Sequence, residues 1–114
     1  MVSMYGTPNC DTIKKARVWL ELHDISYAFH NYKKEAMDAG LLHGWCKQVG
    51  WERLLNRRGL TWRKLADAQK QDVDLDKAVV LMCEYPSMIK RPVLLVDGHI
   101  EVGFSEQAYA GLFD

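Results

Sequence analysis

The chain is predicted to be an α/β protein built on a mixed four-stranded sheet, and three observations carry that prediction. A short apolar strand, a turn cluster, an amphipathic helix and an aromatic-rich strand follow one another over residues 1–32, the order of a βαβ unit with parallel strands. Toward the other end, Asp97-Gly98 separates two β-rich runs, among the strongest short hairpin motifs. Between these regions lie roughly fifty residues whose apolar positions recur at helical spacing.

Taken in order, Met1–Tyr5 alternates apolar residues and reads as a strand ending at the turn cluster Gly6-Thr7-Pro8-Asn9. From Asp11 to about Leu22, Ile13, Ala16, Trp19 and Leu20 share one face of a helix. Tyr27–Tyr32 is the second strand. In the middle, Leu42, Trp45, Cys46 and Val49 fall at helical spacing, and Gly50 ends the stretch. Trp51–Asn56 and Thr61–Ala68 read as shorter helices around an Arg57-Arg58-Gly59 turn, with Thr61 as N-cap. Leu75, Ala78, Val79, Met82 and Cys83 form another stripe that runs to Pro86. Pro92–Val96 and His99–Val102 make the hairpin, and Ser105 caps a short terminal helix. A βαβ unit and a hairpin joined in one mixed sheet is the thioredoxin-like plan, whose periodicities other small α/β sheets share. The expected organisation is one domain over 1–114 with a helical insert at about 34–86.

The composition, 48% hydrophobic and 26% charged, is that of a globular protein rather than a disordered one. Fifteen basic residues balance fifteen acidic ones, so no net field draws nucleic acid or an anionic membrane. No apolar run approaches the ~18 residues of a membrane span, and no basic segment leads into an apolar one at the start. A cytoplasmic location is the resulting expectation.

Three cysteines, at positions 10, 46 and 83, do not make a disulfide framework. No CxxC occurs and no histidine groups closely with them, so no metal site is expected. Cys46 and Cys83 each fall on an apolar helical stripe and read as core packing, with a resolving role as the alternative. Cys10 is placed differently, directly after a turn and before a helix. Unpaired amides and the positive end of the helix dipole stabilise negative charge there, and the thiolate is the form that benefits. Lys14 and Lys15 add positive charge nearby, while Asp11 opposes it. An ordinary helix-start residue is the other reading of Cys10 from this local pattern.

Pro92 cannot donate to a sheet ladder and should begin its strand or lie at an edge. In thioredoxin-like folds that proline is typically cis and faces the cysteine of the first helix, where its backbone can pair with a peptide disulfide. Arg91 would then offer a guanidinium to a carboxylate or oxyanion in the same cleft. Apart from the fold argument, Arg91 reads as a solvated surface charge. Arg57 and Arg58 also read as solvated, unless the insert folds over the first helix and brings one of them above Cys10.

The blocks "YGTPNCDTIKKARVWL", "LLNRRGLTWRKL", "PSMIKRPVLLVDG" and "VGFSEQAY" resemble, in this order and nearly end to end, the arsenate reductase (ArsC)/Spx family. The similarity is greatest to its YffB-like branch, which carries Cys-Asp-Thr at the start of the first helix. The resemblance implies a thioredoxin-like domain with an inserted helical subdomain, and Cys10 as the redox-active thiol. Glutathione-coupled arsenate reductases use one cysteine and three arginines. Cys10 and Arg91 match two of these positions, but one arginine position falls on Asn56 and the last near Gly103. Many of the Spx-type regulators carry a CxxC redox switch and act by binding RNA polymerase. Here Ile13 stands where their second cysteine would be.

The expected function is therefore monothiol, glutathione-dependent thiol–disulfide exchange through an S-glutathionylated Cys10, with glutathione as co-substrate and no bound cofactor. Arg91, one of Arg57 and Arg58, and the Pro92 backbone are expected to hold glutathione or the substrate disulfide, with Thr7, Asn9 and Lys14 as further contributors. A binding module contacting RNA polymerase or another protein is the alternative, and arsenate reduction is disfavoured by the incomplete arginine set.

Overall fold

The computed structural model describes residues 1–113 and divides into two compact units, 1–35 with 91–113 and 36–90, of which the first holds the sheet. Its elements are β1 (Val2–Gly6), α1 (Asp11–Leu22), β2 (Ala28–Asn31) and, after the second unit, β3 (Val93–Val96), β4 (His99–Val102) and α7 (Glu106–Phe113). The second unit carries α2 (Ala39–Val49), α3 (Trp51–Leu54), α4 (Leu60–Arg63), α5 (Asp67–Lys70), α6 (Leu75–Glu84) and a 3-10 turn at Pro86–Met88.

The sheet order is β2-β1-β3-β4, with β1 and β2 parallel and the other pairs antiparallel. This is the mixed four-stranded sheet that the βαβ unit and the hairpin predict. β1 lies inside the sheet with a neighbour on each side, and its Met4 is fully buried. Met4 packs with Ile13, Ala16, Trp19 and Leu20 of α1, Leu94 of β3 and Tyr109 of α7 into one core. Full burial of the methionine, isoleucine and leucine side chains among these contributes about 1.5–3 kcal/mol each. The four α1 residues are the ones its periodicity selects.

Both ends of α1 are fixed by local chemistry. Cys10 is its N-cap, and its carbonyl accepts the first helical bond from the Lys14 amide at 3.0 Å. At the other end Asp24 adopts φ 55°, the Asp24 amide donates to Glu21 and the Ile25 amide donates to Leu20 at 2.9 Å. That pair of bonds is a Schellman closure with aspartate in the left-handed position usually given to glycine. In the hairpin, Asp97 and Gly98 have φ of 47° and 88°, the paired positive values of a type I′ turn that matches strand twist.

In the helical unit, Asp38 and Asp74 cap α2 and α6 by accepting from Leu41 and Lys77 amides, each at 2.9 Å. The two helices pack through Leu42, Trp45 and Cys46 on one side and Ala78, Val79, Leu81 and Met82 among the buried residues of the other. Gly50, at φ 92°, closes α2 and starts α3.

Two features depart from the sequence reading. Thr61 does not cap a helix over 61–68. Gly59 is the N-cap of α4, and the Thr61 hydroxyl instead pairs with that of Ser87 at 2.9 Å. The expected single helix is also two four-residue pieces, with Leu65 buried between them.

Candidate functional site

Cys10 has extended backbone (φ −87°, ψ 130°), as an N-cap requires, and its amide donates to the Thr7 carbonyl at 3.4 Å. The turn that positions it begins at buried Thr7 and passes through exposed Pro8 and Asn9. No complete capping bond is made by its side chain. Partial burial pushes the thiol pKa up, but the Ile13 and Thr12 amides and the Arg91 guanidinium outweigh it, leaving the thiol below its ordinary value. A thiol accepts hydrogen bonds weakly, so aligned amides favour the thiolate without binding the neutral sulfur.

Arg91 reaches the sulfur through sheet register. β3 pairs antiparallel with β1, with Val93 opposite Tyr5, and the residues just before Val93 continue alongside the end of β1. A Cβ on Gly6 would stand 3.9 Å from the Arg91 Cβ and would collide with Ile13 Cδ1. Only glycine lets Ile13 and Arg91 approach β1 this closely. Arg91 is half-buried, and the bond from it to buried Pro92 is cis. The Pro92 carbonyl accepts from the Gly103 amide at 2.8 Å, tying the end of β4 to the start of β3.

The sheet unit thus brings Cys10, Thr7 and Arg91–Pro92 to one end of β1. The charge acting on the sulfur is that of Arg91. Lys14, exposed one turn along α1, instead lines a surface groove with Lys15 and Val18. Ile13, three residues after Cys10, is fully buried in the core, so the position of a second CxxC thiol is filled by packing.

Tyr32 is a residue that the sequence reading used only as part of a strand. It lies just past β2, its amide donates to the Gly6 carbonyl at 2.9 Å, and it is 3% exposed. Among the described residues its hydroxyl has no hydrogen-bond partner, and burial pushes its pKa far up despite the opposing charge of Arg91. The aromatic-rich run gave no sign that one of its tyrosines ends beside Gly6.

The remaining candidates belong to the helical unit. Arg57 and Arg58 are exposed in the turn between α3 and α4. The Arg57 guanidinium stands 5.5 Å from the Trp51 ring centre, and the Arg58 amide donates to Asn56 Oδ1 at 3.1 Å. With Glu52 and Lys90 these residues line a polar pocket of about 330 Å³. Cys46 is buried, and burial with nearby Glu52 raises its pKa. Cys83 is half-buried rather than core, its thiol donates to the Met37 carbonyl at 3.8 Å, and burial with Asp38 raises its pKa. Among the described residues no cluster of three histidine, cysteine or acidic side chains is placed to hold a metal, and no helix is long and apolar enough to cross a membrane.

Comparison with known proteins adds a lineage to this geometry. The ArsC family pattern matches residues 5–112. The solved structure of a YFFB protein superposes with a TM-score of 0.97 at 49% identity, covering all of both chains. An arsenate reductase (ArsC) related protein from Brucella melitensis is 53% identical, with a TM-score of 0.76 over 98% of this chain and 93% of its own. The global transcriptional regulator Spx 1 of Lactococcus lactis is 29% identical over 93% of this chain and 84% of its own length.

Proposed function

The chain belongs to the ArsC family, and from that premise we propose that this thiol redox protein is a glutathione-dependent, monothiol thiol–disulfide reductase of the cytoplasm. One observation carries the reading: Cys10 is held at a helix N-cap with its pKa lowered by two amides and Arg91, while Ile13 occupies the place of a resolving thiol.

The exchange follows from that geometry. The Cys10 thiolate attacks the glutathione sulfur of a mixed disulfide, forming a Cys10–glutathione disulfide and releasing the substrate as a thiolate that takes a proton from solvent. A second glutathione, as thiolate, attacks the glutathione sulfur of that intermediate, regenerating Cys10 thiolate and leaving oxidised glutathione. The net reaction converts one mixed disulfide and one glutathione into one free thiol and one glutathione disulfide. A lowered cysteine pKa aids both steps, supplying thiolate for the first and a good leaving group for the second. Arg91 pairs with a glutathione carboxylate by a charge-assisted bond, and the Pro92 backbone orients the peptide. Thr7, Asn9 and Lys14 complete the proposed binding set of the sheet unit.

The test is turnover of the mixed disulfide of glutathione and 2-mercaptoethanol, with reduced glutathione, by the full chain and by Cys10→Ser. The reading predicts glutathione-dependent turnover that the variant loses. Glutathione-independent activity, or activity retained in Cys10→Ser, contradicts it.

A second reading takes its support from the similarity to Spx 1. On that reading the chain binds a protein partner such as RNA polymerase, and Cys10→Ser leaves function intact. Arsenate reduction has less support, since Asn56 and Gly103 offer no guanidinium where the family's reductases place two. Glutathione with millimolar arsenate is expected to yield no arsenite.

A further inference from the structure

Beyond Lys14, the outer face of α1 carries a feature that thiol exchange with a small molecule leaves unused. Residues 14, 18 and 22 succeed one another at four-residue intervals, so Lys14, Val18 and Leu22 form one ridge along α1, which starts one turn after the N-cap Cys10. Val18 and Leu22 are 52% and 75% exposed. Among the described residues of the sheet unit, the large apolar side chains left exposed are Met1, Val18 and Leu22, so two of the three share this ridge rather than being scattered. They form one wall of an open groove of about 450 Å³, which Lys15 extends and Phe104 and Glu106 face from the other side. Its lining is mainly apolar, with two lysines at the end nearer Cys10. Among the described residues neither lysine has a salt bridge or side-chain hydrogen bond, and Glu106 is the carboxylate that shares the groove lining with them, while Asp11 lies one turn before them on α1.

Building on the exchange chemistry proposed for Cys10, we propose that this groove docks the polypeptide of a protein substrate, an extended segment carrying acidic and then apolar side chains beside its glutathionylated cysteine. The spacing follows from two repeats. With a rise of ~1.5 Å per residue, Lys14, Val18 and Leu22 lie roughly 6, 12 and 18 Å along α1 from Cys10. An extended peptide advances ~3.3 Å per residue and points alternate side chains to one face. Its second, fourth and sixth residues from the cysteine therefore meet the lysines, Val18 and Leu22 in turn. The matching pattern is Cys-x-Glu-x-Leu-x-Leu, read in either chain direction. The lysines select the acid, and the exposed apolar ridge selects the leucines. The substrate class is thus a glutathionylated protein rather than a free low-molecular-weight disulfide.

The probe is a synthetic peptide with a central S-glutathionyl cysteine flanked symmetrically by that pattern, so that both chain directions are presented. A control peptide replaces glutamate with lysine and leucine with serine. Fluorescence anisotropy with the labelled peptide and the Cys10→Ser chain reads docking without chemistry. Turnover by the unmodified chain reads it through KM, with the 2-mercaptoethanol–glutathione disulfide as the small substrate. The expected result is a preference of about tenfold for the acidic–apolar peptide in both readouts. Leu22→Ser and Lys15→Glu each abolish most of that preference and leave small-substrate turnover unchanged. Equal binding of both peptides, or self-association through Val18 and Leu22 with no peptide bound, overturns the docking site. If the small disulfide is not turned over, the exchange reading fails, while anisotropy still judges the groove by the same preference.

Discussion

Cys10 and Cys46 are the same side chain placed on two helices, one in each compact unit, and their chemistry diverges in opposite directions. Cys46 lies on the apolar stripe inside α2, where burial and Glu52 hold the proton on sulfur. Cys10 caps α1, where amides with no helical acceptor and Arg91 draw the proton off despite partial burial. The comparison teaches that burial sets the Cys46 thiol, while at the helix N-cap amides and a guanidinium outweigh burial at Cys10. Cys83 makes the same point from the middle ground. It is half-buried like Cys10, yet its thiol donates to a carbonyl and its pKa is raised.

The largest expected effect separates the cysteines by function. Cys10→Ser should lower glutathione-dependent turnover on the order of a thousandfold or more, whereas Cys46→Ala and Cys83→Ser leave the active-site thiol intact and retain most activity. Equal losses in all three erase the distinction.

Arg91→Ala comes next. Removing the guanidinium raises the Cys10 pKa and deletes a charge-assisted bond of about 1.5–3 kcal/mol, so kcat/KM at neutral pH should fall about tenfold or more. Because part of the loss is thiolate fraction, the deficit shrinks as pH rises. A deficit independent of pH would limit Arg91 to substrate binding.

Gly6→Ala tests the packing that brings these groups together. Its Cβ would collide with Ile13 Cδ1, which belongs to a fully buried side chain, and overpacking of this kind costs about 1–3 kcal/mol. Urea unfolding should show a lowered midpoint, and an unchanged midpoint would mean that Ile13 can turn aside.

The smallest effect is a matter of sign. Cys10 has a lowered pKa in the fold, so its ionisation stabilises the folded state above the unfolded thiol pKa, a contribution lost as pH falls through the folded value. Cys46 has a raised pKa, so its contribution is present below the unfolded thiol pKa and lost as pH rises through the folded value. The stability gap between the parent chain and Cys10→Ser should therefore widen with pH across the thiol range. The gap to Cys46→Ala should narrow. Parallel curves would contradict the opposed shifts.

Much of the fold is legible because its elements obey local rules. The α1 stripe of Ile13, Ala16, Trp19 and Leu20 follows the helical repeat, Asp97-Gly98 forms its I′ turn, and Ser105 caps α7 by accepting from the Ala108 amide at 3.1 Å. The parts that escaped depend on distant partners. Thr61 looks like an N-cap, but its hydroxyl meets Ser87, and no local pattern announces a pairing across 26 positions. At the site, the position of Cys10 could be read from a turn followed by a helix. The cation that acts on it could not be read from charge alone, since Lys14 and Lys15 are nearer in sequence than Arg91. Only the register of β3 against β1 decides among them. Tyr32 escaped for the same reason, because its place beside Gly6 comes from the parallel pairing of β2 with β1.

The most direct test of the central claim is the rate of alkylation at each cysteine, resolved by mass spectrometry, from about pH 4 to about pH 10. A stabilised thiolate at the α1 N-cap predicts a Cys10 midpoint clearly below the free-thiol value of ~8.5, with Cys46 and Cys83 reacting only above it. A Cys10 midpoint at or above that value, or one shared with Cys83, would contradict the account.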